Sequence, residues 1–253
     1  MVNIVEKVIK EVEPLEDAVL IEGLPGIGHV GRIVAEHIIH EFNGEKVLEL
    51  YCDDFPPQVL VNEDGTVEFM NNSIYIIKEP IPIIVVTGNT QALTPMGQYQ
   101  TSKRLTELGI KYGAKVVYTI GGFGIGNLKE NPAVYVAATS KELANKIKGH
   151  GAVFRGDGGG ILGAAGLMLT FSKLNGIDGA CIMGETPGYL IDPKSAGRVL
   201  EVLSKILGIE INMDEIEKRA KEMEMFLEKI KSFEKSQEQK QAMPRDDDLR
   251  YIG

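Results

Sequence analysis

Three glycine-rich turns hold the spacings most readily linked to chemistry. Gly26-x-Gly28-x-x-Gly31 and Gly158-x-Gly160-x-x-Gly163 share the spacing of dinucleotide-binding turns, and Gly121 to Gly126 (GGFGIG) is similar in composition. Glycine in such a turn admits left-handed backbone angles and lets main-chain N–H groups approach an anion, which the N-terminus of a following helix favours. His29 stands at the mouth of the first turn and is the histidine best placed for acid–base work or for holding an anion. Gly26, Gly28, His29 and Gly31 are thus the candidate anion-binding turn. The competing reading is that these glycines serve tight turns and helix–sheet packing.

The side chains that nucleotide chemistry requires do not follow. Gly23 and Gly28 have the separation of a phosphate loop, but His29 and Val30 stand where a lysine and a hydroxyl residue are needed for the phosphates and magnesium. Asp53 or Asp54 lies about the right distance on to hold a ribose, yet the chain there turns into a hairpin in place of a second crossover helix. His37 and His40, flanked by Glu36 and Glu41, lack further ligand spacing and read as solvated or capping groups, not a metal site. There is no GxSxG elbow, and no serine or cysteine has a base partner at sequence level. No catalytic residue, metal or cofactor is assigned, and the chain reads as a binding protein, not an enzyme.

The elements that must position these turns follow from hydrophobic patterning. AVLIE (18–22), PIPIIVVTG (80–88), KVVYTIGG (115–122) and GACIMG (179–184) are apolar runs of strand length. The second is nearly uniform, as expected of a strand covered on both faces. Helical stretches are expected around Gln98–Tyr112 and Gly160–Leu174, and Ala196, Val199, Leu200, Leu203, Ile206 and Leu207 put one apolar face on another helix. Strands alternating with helices predict a three-layer α/β fold with a mostly parallel sheet and helices on both faces. In a parallel sheet the turns after strands share one edge, so the glycine turns and Thr87-Gly88-Asn89-Thr90 could line a single crevice. Residues 45–78 break the alternation: QVLV and TVEFM flank Asn62-Glu63-Asp64-Gly65, which is hairpin chemistry, and predict antiparallel strands that make the sheet mixed.

Composition narrows the class of partner. Among 253 residues, 36 acidic side chains against 27 basic give a formal charge of -9, which argues against nucleic acid as a partner. No apolar run has the ~20 residues of a membrane span, and the N-terminal MVNIVEKVIKEVEP lacks a signal peptide's continuous apolar stretch. The expectation is a cytoplasmic protein whose two cysteines, Cys52 and Cys181, are buried reduced thiols in strands.

LIEGLPGIGHVGRIVAEHII, DDFPPQVLV, IIVVTGNTQ, YTIGGFGIG and GDGGGILGAAGLML occur in that order, and together they resemble the proteasome assembly chaperone family, in particular its archaeal members. The resemblance covers most of residues 15–208. It implies a nucleoside-phosphorylase-like α/β fold without that chemistry, a homo-oligomer of four or five subunits or assembly with a related family member, and binding to proteasome α-subunit rings. It also implies a docking tail. In several family members a C-terminal hydrophobic–Tyr–any-residue ending enters pockets between α-subunits. Here the chain ends Leu249-Arg250-Tyr251-Ile252-Gly253, with tyrosine third from the end and arginine before it.

Residues 1–210 are read as the α/β domain, 211–241 as a charged amphipathic helix and 242–253 as a flexible tail. Asn212 and Glu215 have capping-box spacing, and Ile216, Ala220, Met223, Leu227 and Ile230 recur as a heptad-like seam. That seam packs either on its own domain or on a partner subunit. The leading reading is a non-enzymatic scaffold that presents the tail to an α-ring. The alternatives are a nucleoside- or phosphate-binding protein or phosphorylase-type enzyme using the glycine crevice, and a structural subunit that pairs with a relative.

Overall fold

The computed structural model describes residues 2–242 apart from 155 and 157. The chain opens with β1 (Ile4–Val8), β2 (Ala18–Gly23), α1 (Val30–Glu41) and β3 (Glu45–Cys52). The short strands β4 (Val59–Val61) and β5 (Val67–Phe69) precede β6 (Asn72–Ile77), β7 (Ile83–Gly88) and α2 (Pro95–Lys111). Then come β8 (Ala114–Gly124), β9 (Val134–Ala138), α3 (Lys141–Lys148), β10 (Val153–Phe154) and α4 (Ala164–Leu174). The last elements are β11 (Asp178–Thr186), α5 (Pro193–Leu207) and α6 (Asp214–Ala242).

Nine of the described strands form one sheet in the order β1-β3-β6-β7-β2-β8-β11-β9-β10. The four central strands β7, β2, β8 and β11 are parallel, as are β9 and β10. The pairs β1–β3, β3–β6, β6–β7 and β9–β11 are antiparallel. Four of the eight pairings are therefore parallel and four antiparallel, which corrects the expected mostly parallel sheet. The reason lies in the connections: β6 and β7 are joined by too few residues for a crossover helix, so the chain must reverse. The strands β4 and β5 pair around the predicted Asn62–Gly65 turn, but they stand apart as a separate two-stranded ribbon.

Side-chain alternation along the central strands feeds two cores. Ile21, Tyr118, Ile120 and Ile182 face α1, α3 and α5, where Val34, Ile147 and Leu200 meet them. Leu20, Ile84, Val86 and Val117 face α2 and α4, where Leu105, Leu108 and Met168 close the other side. This is the three-layer arrangement expected, and both faces of the central strands are dry. Helix starts are fixed by side chains: Thr94 Oγ1 accepts from Gly97 N–H at 3.1 Å, and Asp192 Oδ1 from Ser195 N–H at 2.9 Å, each with proline in the first turn. Gly208, at φ 66°, ends α5 in the left-handed conformation.

Helix α6 begins differently from the capping-box expectation. Asn212 Oδ1 accepts from Asp214 N–H at 2.8 Å, only two residues on, while Glu215 pairs with Arg219 and lies 3.7 Å from His40. Ile216 is buried and belongs to the core that α5 completes, so the seam starts against its own domain. Farther along, Ala220, Met223 and Leu227 line a groove of about 240 Å³ with Leu128, Pro132 and Ile191. No helix among the described residues is long and apolar enough to cross a membrane.

Candidate functional site

The three glycine turns do meet. A cavity of about 890 Å³ opens beyond the carboxyl ends of β2 and β8, and Gly26, Gly31, Gly121, Gly122 and Gly158–Gly160 all lie in its lining. The 87–90 segment does not: Thr87 Oγ1 donates to Gly23 O at 2.8 Å, and Asn89 Nδ2 donates to Glu68 and Phe69. That segment is spent on joining the β2 end to the hairpin, and it is the following residue, Gln91, that reaches the cavity.

Packing accounts for much of the first turn. A Cβ on Gly31 would lie 2.4 Å from Ile120 O, and one on Gly23 would lie 2.2 Å from Gly31 O. These two glycines let α1 descend onto β2 and β8. Gly28 has φ 64°, its carbonyl accepts from Asp192 N–H at 2.9 Å, and a Cβ there would meet Thr186. His29, also left-handed at φ 53°, is half-buried ahead of α1 and outside the cavity lining.

The polar feature of the cavity is one that glycine spacing does not reveal. Across the sheet, Glu22 of β2 is in register with Thr119 of β8, and Thr119 with Cys181 of β11. All three are buried, and Glu22 and Cys181 line the cavity. Glu22 Oε1 accepts from Leu24 N–H at 2.9 Å, whereas Oε2 has no partner among the described residues. Burial pushes the Glu22 carboxyl up to about 8, against the opposing pull of the Leu24 N–H. Burial also pushes the Cys181 thiol up to about 12, with the Thr119 hydroxyl opposing and the Glu22 charge adding. A protonated thiol is a poor nucleophile. Half-buried Cys52, at the end of β3, is likewise raised by burial. The signal for Glu22 was in the sequence: a carboxylate ends an apolar strand on the same side as Leu20.

The other buried carboxylate on the sheet is fully occupied. Glu185 of β11 accepts from Lys129 Nζ at 2.8 and 2.9 Å, from Ala133 N–H at 2.9 Å and from Tyr135 OH at 2.9 Å. Burial alone would raise it, but these donors outweigh burial and hold it below the ordinary carboxylate range.

The ribose carboxylates are also committed elsewhere. Asp54 Oδ2 accepts from Thr94 N–H at 2.8 Å, and Asp53 Oδ1 from Asn3 N–H at 3.0 Å. His37 Nε2 lies 2.7 Å from Asn212 O, so the helical histidines face the start of α6. No group of three metal-binding side chains occurs among the described residues. The tail residues Leu249, Arg250, Tyr251, Ile252 and Gly253 lie outside the described residues.

The fold is a three-layer α/β body whose glycine turns converge on one cavity. The PAC2 family profile matches residues 20–231, and the chain belongs to that family. An uncharacterised protein of Methanocaldococcus jannaschii, MJ1210, is 62% identical over 255 residues, covering 100% of this chain and 99% of the relative. Among solved structures, Pyrococcus furiosus PbaB, described as an archaeal proteasome activator, superposes with a TM-score of 0.85. Its identity is 36%, covering 90% of this chain and 98% of the other. Pyrococcus furiosus PbaA, described as an archaeal homolog of proteasome-assembly chaperone, gives 0.73 at 27% identity, covering 94% and 100%.

Proposed function

We propose that this protein is a non-enzymatic proteasome assembly chaperone or activator, a cytoplasmic homo-oligomer that binds α-subunit rings through residues 249–253. The observation that carries the reading is the likeness to PbaB, at 36% identity and a TM-score of 0.85 over nearly the whole of both chains. On this reading the body is a nucleoside-phosphorylase-like fold kept as a scaffold, and α6 is an arm that carries the tail away from it. Leu249, Tyr251 and Ile252 supply apolar anchors and Arg250 a charged donor, and tyrosine and arginine are among the residues enriched at binding hot spots.

The body itself supports the non-enzyme reading. Its buried Cys181 thiol is held protonated, a form unsuited to nucleophilic work at neutral pH. The test is co-elution. Purified protein mixed with α-rings and run through size exclusion with light scattering is expected to give an oligomer of four or five chains alone and a larger co-eluting complex with rings. A persistent monomer, or separate elution of the two proteins, contradicts the proposal.

A further inference from the structure

We infer that the chain assembles head to tail, the acidic β1 edge of one copy meeting the basic α3–β10 edge of the next. This rests on the self-association proposed above and names the surfaces that carry it. Its basis is where the sheet order puts charge. β1 is one end of the nine-stranded sheet and β10 the other, and each is paired on one side alone among the described residues. Residues 2–17 and 45–69, which supply β1, β3 and the β4–β5 ribbon, hold twelve acidic side chains against three basic. Residues 114–186, which supply β8 to β11 with α3 and α4, hold seven basic against five acidic. A chain whose formal charge is -9 thus keeps a positive excess at one end of its sheet.

Local pairing shows which charges stay free. At the acidic end Glu6 is held by Arg104, Glu45 by Lys10, and Glu49 by Lys7 and Lys46. Past β1, Ile9 N–H and Lys10 N–H donate to Val47 O, and Leu15 N–H donates to Tyr112 O. Glu11 and Glu13 lie between those anchors, exposed and without an ion pair among the described residues. At the basic end Lys129 is held by Glu185 and Lys173 by Asp178. Lys141 and Lys146 of α3, the helix that links β9 to β10, are exposed and have no ion pair among the described residues. Lys148 lies over the Phe154 ring at 4.8 Å. Arg155 and Asp157, which follow β10, are of opposite sign and leave the excess unaltered.

The signs of these charges select the occupant. A two-fold contact would set either edge against itself, like charge on like. A head-to-tail contact sets opposite signs together and, where the rotation closes, gives a ring that leaves no sheet edge free. Both edges also show apolar side chains beside the free charges, Val5, Val8 and Ile9 at one end and Val153 and Phe154 at the other, all exposed. Burial of these supplies attraction, while the charges fix which edge meets which.

The test exchanges the charges. Light scattering over a dilution series of the full chain, at about 0.1 M salt so that screening stays modest, reads the assembly equilibrium. Lys141→Glu with Lys146→Glu in one chain, and Glu11→Lys with Glu13→Lys in another, should each shift that equilibrium toward monomer by about tenfold or more. The chain carrying all four substitutions has the signs exchanged between its edges and should regain the wild-type mass, which a misfolded variant would not. An oligomeric wild type whose mass is matched by either edge variant overturns the inference and leaves self-association standing. An α3–β10 edge that serves an acidic partner other than a second copy gives that same result. Failure of the four substitutions together to restore the mass also overturns it. A wild type that is itself monomeric removes the self-association reading and this inference with it.

Discussion

At the scale of single residues, the two buried carboxylates of the central sheet should behave in opposite ways. Glu22 has a folded-state value of about 8 against an ordinary 4.5. Between those values the unfolded chain has released the proton and the folded chain keeps it. Stability therefore falls as pH rises through this window and levels off above it. Thermal melts of Glu22→Gln and wild type from pH 4 to 9 should show a flatter curve for the variant, and identical curves would contradict the burial argument. Glu185 runs the other way. Its folded value lies below the ordinary range, so its contribution is present at neutral pH and is lost as pH falls through that lowered value. Glu185→Ala strands the Ala133 N–H and removes the Glu185 acceptor from the Tyr135 hydroxyl, and a cost of roughly 2 kcal/mol in denaturant melts is expected.

At the scale of elements, glycines at close approaches set how α1 sits on the sheet. Gly31→Ala places a methyl group 2.4 Å from the Ile120 carbonyl, where only backbone movement can relieve the overlap. A loss of about 3 kcal/mol in chemical denaturation is expected, with α1 loosened in hydrogen exchange. For α6 the anchor is Ile216, which is 2% exposed. Ile216→Ala should cost about 2 to 4 kcal/mol and speed exchange over the first turns of α6, while the central strands stay protected.

The long apolar runs 80–88 and 115–122 were legible because strands buried on both faces leave no alternation to misread. So was the Asn62–Gly65 turn, because its residue types dictate the bend. The edge strand β1 was not legible. IVEKV mixes charge with aliphatics, and it becomes a strand through pairing with β3, where Lys7 meets Glu49 at 3.2 Å. The antiparallel part of the sheet was legible where β3 and β6 fall within the 45–78 segment read as antiparallel, but the β1–β3 and β9–β11 pairs were hidden, because those partners are set by tertiary contacts and not by local pattern. The candidate site divides likewise. Convergence of the glycine turns followed from strand order, whereas the Glu22–Thr119–Cys181 row depends on a register that only the folded sheet defines.

At the scale of the whole molecule, the account rests on separate roles for body and tail. The chain belongs to the PAC2 family, whose profile matches residues 20–231 and so takes in the first part of α6, and the tail residues follow that match. The most direct measurement is surface binding of the full chain, of a chain lacking residues 249–253 and of Tyr251→Ala to immobilised purified α-rings. Light scattering on the same samples serves as the control for assembly. The expected result is unchanged oligomer size in all three, loss of binding in the truncated chain, and a cost of about 2 kcal/mol for Tyr251→Ala, close to thirtyfold in Kd. Binding by the truncated chain as tight as that of the intact protein would contradict the account.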